Sequence, residues 1–272
     1  MFQLSLEDAR TLKGWFLPER PGRLLGLHII TTGCGSCWVD RFPNPTGVLV
    51  HSGFDYFLVG APQAFKSRDI RGMVGWVDIA DESLMHALDK YHSKIITEDR
   101  VALELTTPPA GVPLEHYHIR PLRPEDARHL ESLSPEIDWI SRSWGGPSGL
   151  ANSRRSWGAF DHERLVSVAC SYYVGNCYED VGIVTEPDLR GRGLSAACAA
   201  KICQDIIGRG HRPSWLVAST NTASLRVAHK LGFSPTGNVR WYGCSPRRMF
   251  STKVLRRVVS ITKALVGFNA AF

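Results

Sequence analysis

The pattern of apolar and polar positions is clearest between residues 179 and 233, where it predicts two strands and two helices. A β-rich run at 181–184 ends in the turn 185–188, and the segment that starts at Arg190 opens a helix rich in alanine and cysteine. A second strand at 215–219 leads into another helix, which ends at Gly232. This order of strand, helix, strand and helix predicts an α/β fold.

The first 107 residues show shorter patterns of the same kinds and predict a smaller α/β unit. The predicted elements are helices at 4–16 and 81–94, a hairpin of strands at 47–51 and 54–59, and further strands at 37–39 and 101–105. The segment 106–113 contains three prolines and one glycine, which is typical of a linker.

A second unit, at 116–248, is predicted after the linker. It begins with a strand at 117–122 and a helix that Pro124 opens. The segment 139–157, rich in tryptophan, glycine and serine, predicts a lid or a wall for a substrate. Strands at 157–160 and 165–174 follow it. No internal repeat is recognisable along the chain.

The last segment, 249–272, has apolar residues at steps of three and four with basic residues between them. This pattern predicts a basic amphipathic helix. Such a helix docks on its own domain, on a second subunit of a homodimer, or on a membrane surface.

Charge is distributed unevenly along the 272 residues, whose net charge is +6. Asp205 is the last acidic residue, and eleven basic residues follow it. Before position 206, 21 basic residues face 26 acidic ones, a net charge of −5. The asymmetry predicts an anionic partner near the C-terminal part, such as a phosphorylated cofactor or nucleic acid, or else a solvated basic face.

Several function classes find no support in the chain. No apolar run approaches the ~20 residues of a membrane span, and the N-terminus lacks the features of a secretory signal. The seven cysteines have no regular spacing, so the chain is predicted to be cytoplasmic with free thiols. Cys34 and Cys37 have metal-ligand spacing, but no second pair follows, so no metal is predicted.

The turn at 190–195 predicts an anion site, because a glycine-rich turn at a helix start presents free N–H groups and the positive end of the helix dipole. Gly191 to Ala196 also matches the dinucleotide pattern GxGxxA. That interpretation fails, because the glycines do not follow the strand directly and the next strand carries no acid. A phosphate loop of the Walker type is excluded too, because Ser195 and Ala196 stand where a lysine followed by serine or threonine would be needed.

Two signatures at the right mutual distance resemble the GNAT superfamily of N-acetyltransferases over residues 116–245. The first is Arg190-x-x-Gly193-x-Ser195, and the second is Asn221-x-x-Ser224 followed by the sequence KLGF at 230–233. The resemblance implies a mixed central sheet flanked by helices, preceded here by the smaller α/β unit. A finer similarity is to the branch that includes zwittermicin-resistance acetyltransferases.

The resemblance also implies a cofactor and the residues that bind it. Acetyl-CoA, or another acyl-CoA, would lie with its pantetheine arm between two strands that diverge, and no metal would take part. The residues implied in binding are Ile183, Val184, Arg190, Gly191, Arg192, Gly193, Leu194, Ser195, Asn221 and Ser224. An amine would then attack the thioester directly.

Amine attack requires a base, and departure of the thiolate an acid. Glu179 lies where many members of the family carry a glutamate base, although a carboxylate at a strand start is often just ion-paired. The tyrosine that usually serves as the acid is replaced by Ala228. Tyr242 is the nearest alternative, with a packed strand residue as the competing interpretation.

The sequence therefore predicts an N-acyltransferase that acts on a primary amine of a small metabolite, an amino acid derivative or an antibiotic. Two alternatives stay open. One is an acyltransferase for a protein lysine or an aminoacyl-tRNA, which the basic C-terminal part favours. The other is a non-catalytic acyl-CoA-binding module, which Ala228 favours.

Overall fold

The computed structural model describes residues 1–246, except for the side chains of residues 91, 93, 94, 245 and 246. The amphipathic helix predicted at 249–272 lies outside the described residues. We call residues 1–105 the first half and residues 106–246 the second half.

Short helices and strands alternate in the first half. In chain order they are β1 (Phe2–Gln3), α1 (Leu6–Arg10), α2 (Leu25–Thr32), β2 (Ser36–Val39), β3 (Gly47–Ser52), β4 (Asp55–Gly60), α3 (Ser67–Ile70), β5 (Gly75–Ile79), α4 (Met85–Tyr91) and β6 (His92–Glu104). The helix predicted at 81–94 is wrong in its last three residues, because α4 ends at Tyr91 and the chain enters β6 at His92.

The second half contains longer elements. They are β7 (His118–Pro121), α5 (Ala127–Glu131), α6 (Pro147–Asn152), β8 (Ser156–Asp161), β9 (Arg164–Val174), β10 (Tyr178–Thr185), α7 (Leu194–Gly208), β11 (Arg212–Ala218), α8 (Thr222–Lys230) and β12 (Ser234–Pro246). Between α5 and α6, a 3₁₀ helix spans Asp138–Trp144. The predicted linker is irregular from residue 105 to 117.

All these strands join one mixed sheet, in the order β1-β2-β3-β4-β5-β12-β6-β11-β10-β9-β8-β7. Helices pack against it: α7 buries its small residues, such as Ala199 and Ala200, against the strands of the second half, and α2 buries Leu27 and Ile29 in the first. The predicted α/β class, with a mixed central sheet flanked by helices, is confirmed.

The two halves share one order of elements, which the sequence does not reveal. Each has three antiparallel strands (β2-β3-β4 and β8-β9-β10), then a strand parallel to the third (β5 and β11) and a last strand (β6 and β12). The last strands are exchanged: β6 pairs with β11 of the second half, and β12 pairs with β5 of the first. The sheet is therefore continuous across the predicted domain boundary.

The halves differ at their parallel pair of strands. In the first half, β4 pairs with β5 along most of its length, from Asp55 to Leu58. In the second half, β10 pairs with β11 only from Tyr178 to Asp180, after which the two strands diverge. A gap therefore opens in the second half alone, between residues 181–185 of β10 and residues 215–218 of β11.

Candidate functional site

A cavity of about 950 Å³ occupies the gap between β10 and β11 and continues to the first half. One wall consists of Val181 to Thr185 on β10, and the opposite wall consists of Trp215 to Ala218 on β11. Residues 181–185 pair with β9 on their other side, so the backbone groups that point away from β9 face the gap. An extended ligand can bond to these groups as an added strand would.

One end of the cavity is the turn that the sequence predicts as an anion site. Gly191 and Gly193 have φ angles of +82° and +85°, a conformation that glycine adopts without steric cost. Gly193 caps α7, so the first N–H groups of a 15-residue helix point at this turn. The Oγ of Ser195 lies 2.7 Å from the Oγ1 of Thr185, which ties the helix start to β10.

The structure brings the remaining predicted cofactor residues to the same cavity, with one exception. Ile183, Val184, Arg190 and Leu194 line it, together with Asn221 and Ser224. Arg192 is not among the lining residues, and its Nη1 donates to the hydroxyl of Tyr117 at 3.2 Å.

Asn221 and Ser224 fix the start of α8 beside the gap. The Oδ1 of Asn221 accepts a hydrogen bond from the N–H of Ser224 at 3.1 Å, which caps the helix. The indole N–H of Trp215 donates to the Oγ of Ser224 at 3.0 Å. Because Arg226 and Lys230 of α8 also line the cavity, this end presents positive charge to a ligand.

Glu179 lies on the side of β10 that faces away from the cavity. Its carboxylate is fully buried and accepts hydrogen bonds from Arg155 at 2.6 Å, Arg209 at 2.8 Å and Ser171. Burial raises the pKa of the Glu179 carboxyl, but the bonds from Arg209 and Ser171 and the charge of Arg155 outweigh it and hold the pKa below its usual range. These contacts give Glu179 a structural role, while its role as the base stays a prediction.

Tyr242, the predicted acid, also points away from the cavity. It is 6% exposed and packs in the core of the first half, and its backbone pairs with Val77 of β5. Its neighbour Trp241 lines the cavity instead. Tyr242 therefore has the environment of a packed strand residue, which is the competing interpretation for this side chain.

The far end of the cavity is built from side chains that sequence reasoning did not assign. They are Phe54 and Asp55 at the tip of the β3–β4 hairpin, Glu98 and Arg100 on β6, Trp139 and Arg142 on the 3₁₀ helix, Tyr172 and Tyr173 on β9, and Asp180 on β10. The guanidinium of Arg142 lies over the ring of Phe54, 4.3 Å from its centroid. Trp139 and Arg142 belong to the segment 139–157, for which a lid or a substrate wall is predicted.

A β-bulge on β9 explains why two successive tyrosines reach this end. Asp180 pairs with Tyr173 and Val181 pairs with Ser171, so Tyr172 is an extra residue without a partner on β10. Its ring lies against Gly182, where an added Cβ would come within 3.0 Å of the Cβ of Tyr172. The rings of Tyr172 and Tyr173 are 4.7 Å apart at their centroids.

The acidic groups at the far end have different surroundings. Glu98 is held by Arg100 at 2.6 Å, and that guanidinium lies over the ring of Trp241. Burial raises the pKa of Asp180 to about 6, although its carboxylate accepts bonds from Ser214 and from the N–H of Gly22. Asp55 accepts a hydrogen bond from the hydroxyl of Tyr173 at 2.7 Å.

These features fit acetyl-CoA as a ligand. A glycine turn at a helix start and nearby basic residues suit its pyrophosphate, and a gap between diverging strands suits its pantetheine arm. Within residues 1–246, no group of three histidine, cysteine, aspartate or glutamate side chains is arranged to hold a metal ion. In the same part of the chain, every helix is too short or too polar to cross a membrane.

Comparisons with known proteins agree with this geometry. The family model for GNAT acetyltransferases matches residues 23–242, which spans both halves. An uncharacterized N-acetyltransferase of Streptomyces virginiae is 35% identical over 219 residues, covering 78% of this chain and 90% of its own.

Solved structures share the fold at low sequence identity. A GCN5-related N-acetyltransferase-like protein from Streptococcus suis has a TM-score of 0.67 at 18% identity, covering 89% of this chain and 100% of its own. A tandem GNAT protein from the clavulanic acid biosynthesis pathway has a TM-score of 0.56 at 13% identity, covering 89% and 97%. With the family model and the Streptomyces relative, these findings confirm the predicted resemblance: the chain is an N-acetyltransferase and belongs to the GNAT acetyltransferase family.

Proposed function

We propose that the protein transfers the acetyl group of acetyl-CoA to the primary amine of a small molecule that binds at the far end of the cavity. The family supports acetyl transfer from coenzyme A. The choice of a small acceptor rests on one observation, which is that side chains of both halves wall in the far end. The similarity to the zwittermicin-resistance branch points the same way and stays a prediction.

The cofactor is proposed to lie with its pyrophosphate at the turn 190–195 and its pantetheine arm along residues 181–185. Arg190, Arg226 and Lys230 would supply positive charge to the phosphates, and the backbone of Ile183 and Val184 would bond to the amides of the arm. Because β10 and β11 diverge after Asp180, the thioester would come to the point where the gap meets the far end.

A small acceptor suits the far end better than a protein side chain does. Phe54, Trp139 and Tyr172 offer aromatic surface to a compact ligand, while Asp55 offers negative charge to an ammonium group. The macromolecular alternative rests on the basic C-terminal part. Of its eleven basic residues, six (Arg247, Arg248, Lys253, Arg256, Arg257 and Lys263) lie outside the described residues.

A matched pair of glycine variants tests the cofactor site. Gly193 at the start of α7 and Gly210 just beyond its end have similar φ angles, +85° and +81°, so valine strains the backbone equally at both positions. Gly193→Val should weaken acetyl-CoA binding at least ~10-fold, because the strained turn no longer presents its N–H groups to the pyrophosphate. Isothermal titration calorimetry measures both variants.

Gly210→Val serves as the control, since it carries the same strain far from the cavity and should bind acetyl-CoA as the wild type does. Equal affinity of Gly193→Val and the wild type would remove the turn from the cofactor site. Absence of any heat with acetyl-CoA in the wild type would remove the proposed function.

A further inference from the structure

We propose that Asp55, contributed by the first half, is the base that takes the proton from the attacking amine, and that Tyr173 positions its carboxylate. The inference rests on the proposed function. It assigns a catalytic residue to the β3–β4 hairpin, outside the signatures that identify the cofactor site.

The carboxylates at the far end of the cavity differ in the partners that already bind them, and these partners determine which carboxylate can accept a proton. Glu98 is bound to Arg100 at 2.6 Å, and both side chains are largely buried, so this carboxylate is held as an ion pair. Asp180 is 5% exposed and already accepts bonds from Ser214 and Gly22. Asp55 is half-buried and accepts a side-chain bond from Tyr173, a neutral donor.

The position of Asp55 relative to the gap also suits a base. Its partner Tyr173 pairs in register with Asp180, the last residue of β10 that is still paired with β11. The carboxylate of Asp55 therefore lies one tyrosine side chain from β9, the strand next to β10, at the level where β10 and β11 diverge and where the thioester is proposed to lie. A base must come within hydrogen-bond reach of the reacting nitrogen, and Asp55 lines the cavity in which the acceptor is proposed to bind.

The surroundings of Asp55 keep its carboxylate basic. Burial raises the pKa of Asp55, as does the charge of Glu98, while Arg100 and the hydrogen bond from Tyr173 lower it; the net effect is a raised pKa. Tyr172 and Arg142 lie at the same end of the cavity. A carboxylate with a raised pKa is a better proton acceptor than an ordinary aspartate.

The step balances without further reactants. The ammonium group of the acceptor first loses one proton to solvent. The neutral amine nitrogen then forms a bond to the thioester carbon and gives a second proton to Asp55. The bond from carbon to sulfur breaks, its electron pair goes to sulfur, and the thiolate of coenzyme A takes a proton from solvent. Protonated Asp55 returns its proton to solvent, which restores the carboxylate for the next turnover.

The test measures thiol release from acetyl-CoA with a panel of α-amino acids, linear polyamines and aminoglycosides, and then uses the amine with the highest wild-type rate. Asp55→Asn should lower kcat at least ~100-fold, the range expected for loss of a general base. Its affinity for acetyl-CoA, measured by calorimetry, should stay within about threefold of the wild-type value, because Asp55 lies at the far end. Asp161→Asn, at the last residue of β8 and outside the cavity lining, is the control and should keep wild-type turnover.

Tyr173→Phe separates positioning from a purely structural effect. The hydrogen bond from Tyr173 lowers the pKa of Asp55, so its loss should move the acidic limb of the kcat/KM profile to higher pH. A structural role alone would lower the rate without moving that limb.

Three results would overturn the inference. The first is that Asp55→Asn keeps more than a third of wild-type turnover. The second is that Asp180→Asn abolishes turnover while Asp55→Asn does not. Either of these results leaves the proposed function intact. If the wild type binds no acetyl-CoA and releases no thiol with any panel amine, the proposed function fails and the inference fails with it.

Discussion

Glu179 and Asp180 are adjacent on β10, so their side chains point to opposite faces of the sheet. The sequence identifies a carboxylate at this strand start but not the face that becomes the cavity wall. The structure turns Asp180 toward the cavity and Glu179 toward Arg155, Arg209 and His211. Which of two neighbouring acids faces a ligand depends on strand register, which a single sequence does not specify.

Replacement of Glu179 distinguishes a structural carboxylate from a catalytic one. Glu179→Gln leaves Arg155 and Arg209 without their buried anion, so we expect the free energy of unfolding to fall by about 3 kcal/mol. Urea denaturation measures this change. The kcat per folded molecule should stay near the wild-type value, and a large loss of kcat with unchanged stability would return Glu179 to the role of base.

At the scale of elements, the sequence predicts most strands and the helices on both sides of the gap. Strands β1, β5 and β12 and helices α2 and α3 are among the elements that escape prediction. The run at 24–30 is apolar almost throughout because α2 is buried, so it shows no amphipathic period. The residues at the far end of the cavity could not be predicted for another reason. Asp55 lies at a hairpin tip and Tyr172 in a β-bulge, and the sequence of neither motif shows which residues will be close to it in the fold.

One contact between elements has a clear dependence on pH. His28 of α2 is fully buried between the halves, with its Nε2 bonded to the carbonyl of Ser143 at 2.8 Å and its Nδ1 accepting from the N–H of Val174 at 3.2 Å. Burial lowers the pKa of His28 from 6.5 to about 4, despite the bond to Ser143. The neutral ring therefore holds α2 against the second half.

The stability that depends on His28 should be complete above pH 6.5 and lost as the pH falls to about 4, because the unfolded chain then binds a proton that the folded protein does not. The loss should reach about 3 kcal/mol over that interval. Chemical denaturation across this range should show a flatter pH dependence for His28→Asn than for the wild type. His162→Asn, at an exposed turn, is the control; an unchanged slope for His28→Asn would contradict the assignment.

At the scale of the whole molecule, the exchange of β6 and β12 makes one sheet of two similar halves. Only the second half has the glycine turn, the long helix α7 and the diverging strands, so the proposed cofactor site lies there. The first half closes the opposite end of the cavity with Phe54, Asp55, Glu98 and Arg100. The signatures of the second half are local in sequence and therefore recognisable, whereas the wall from the first half depends on strand pairings more than a hundred residues apart, such as Tyr242 with Val77.

A crystal structure of the protein with bound acetyl-CoA tests the central claim most directly, since it shows whether one cavity holds the cofactor in the second half and faces the first half with its thioester. We expect the pyrophosphate at the turn 190–195, the pantetheine arm between β10 and β11, and the thioester carbon nearer to the carboxylate of Asp55 than to that of Glu179. Acetyl-CoA bound outside the gap, or a thioester that lies against Glu179, would contradict the account.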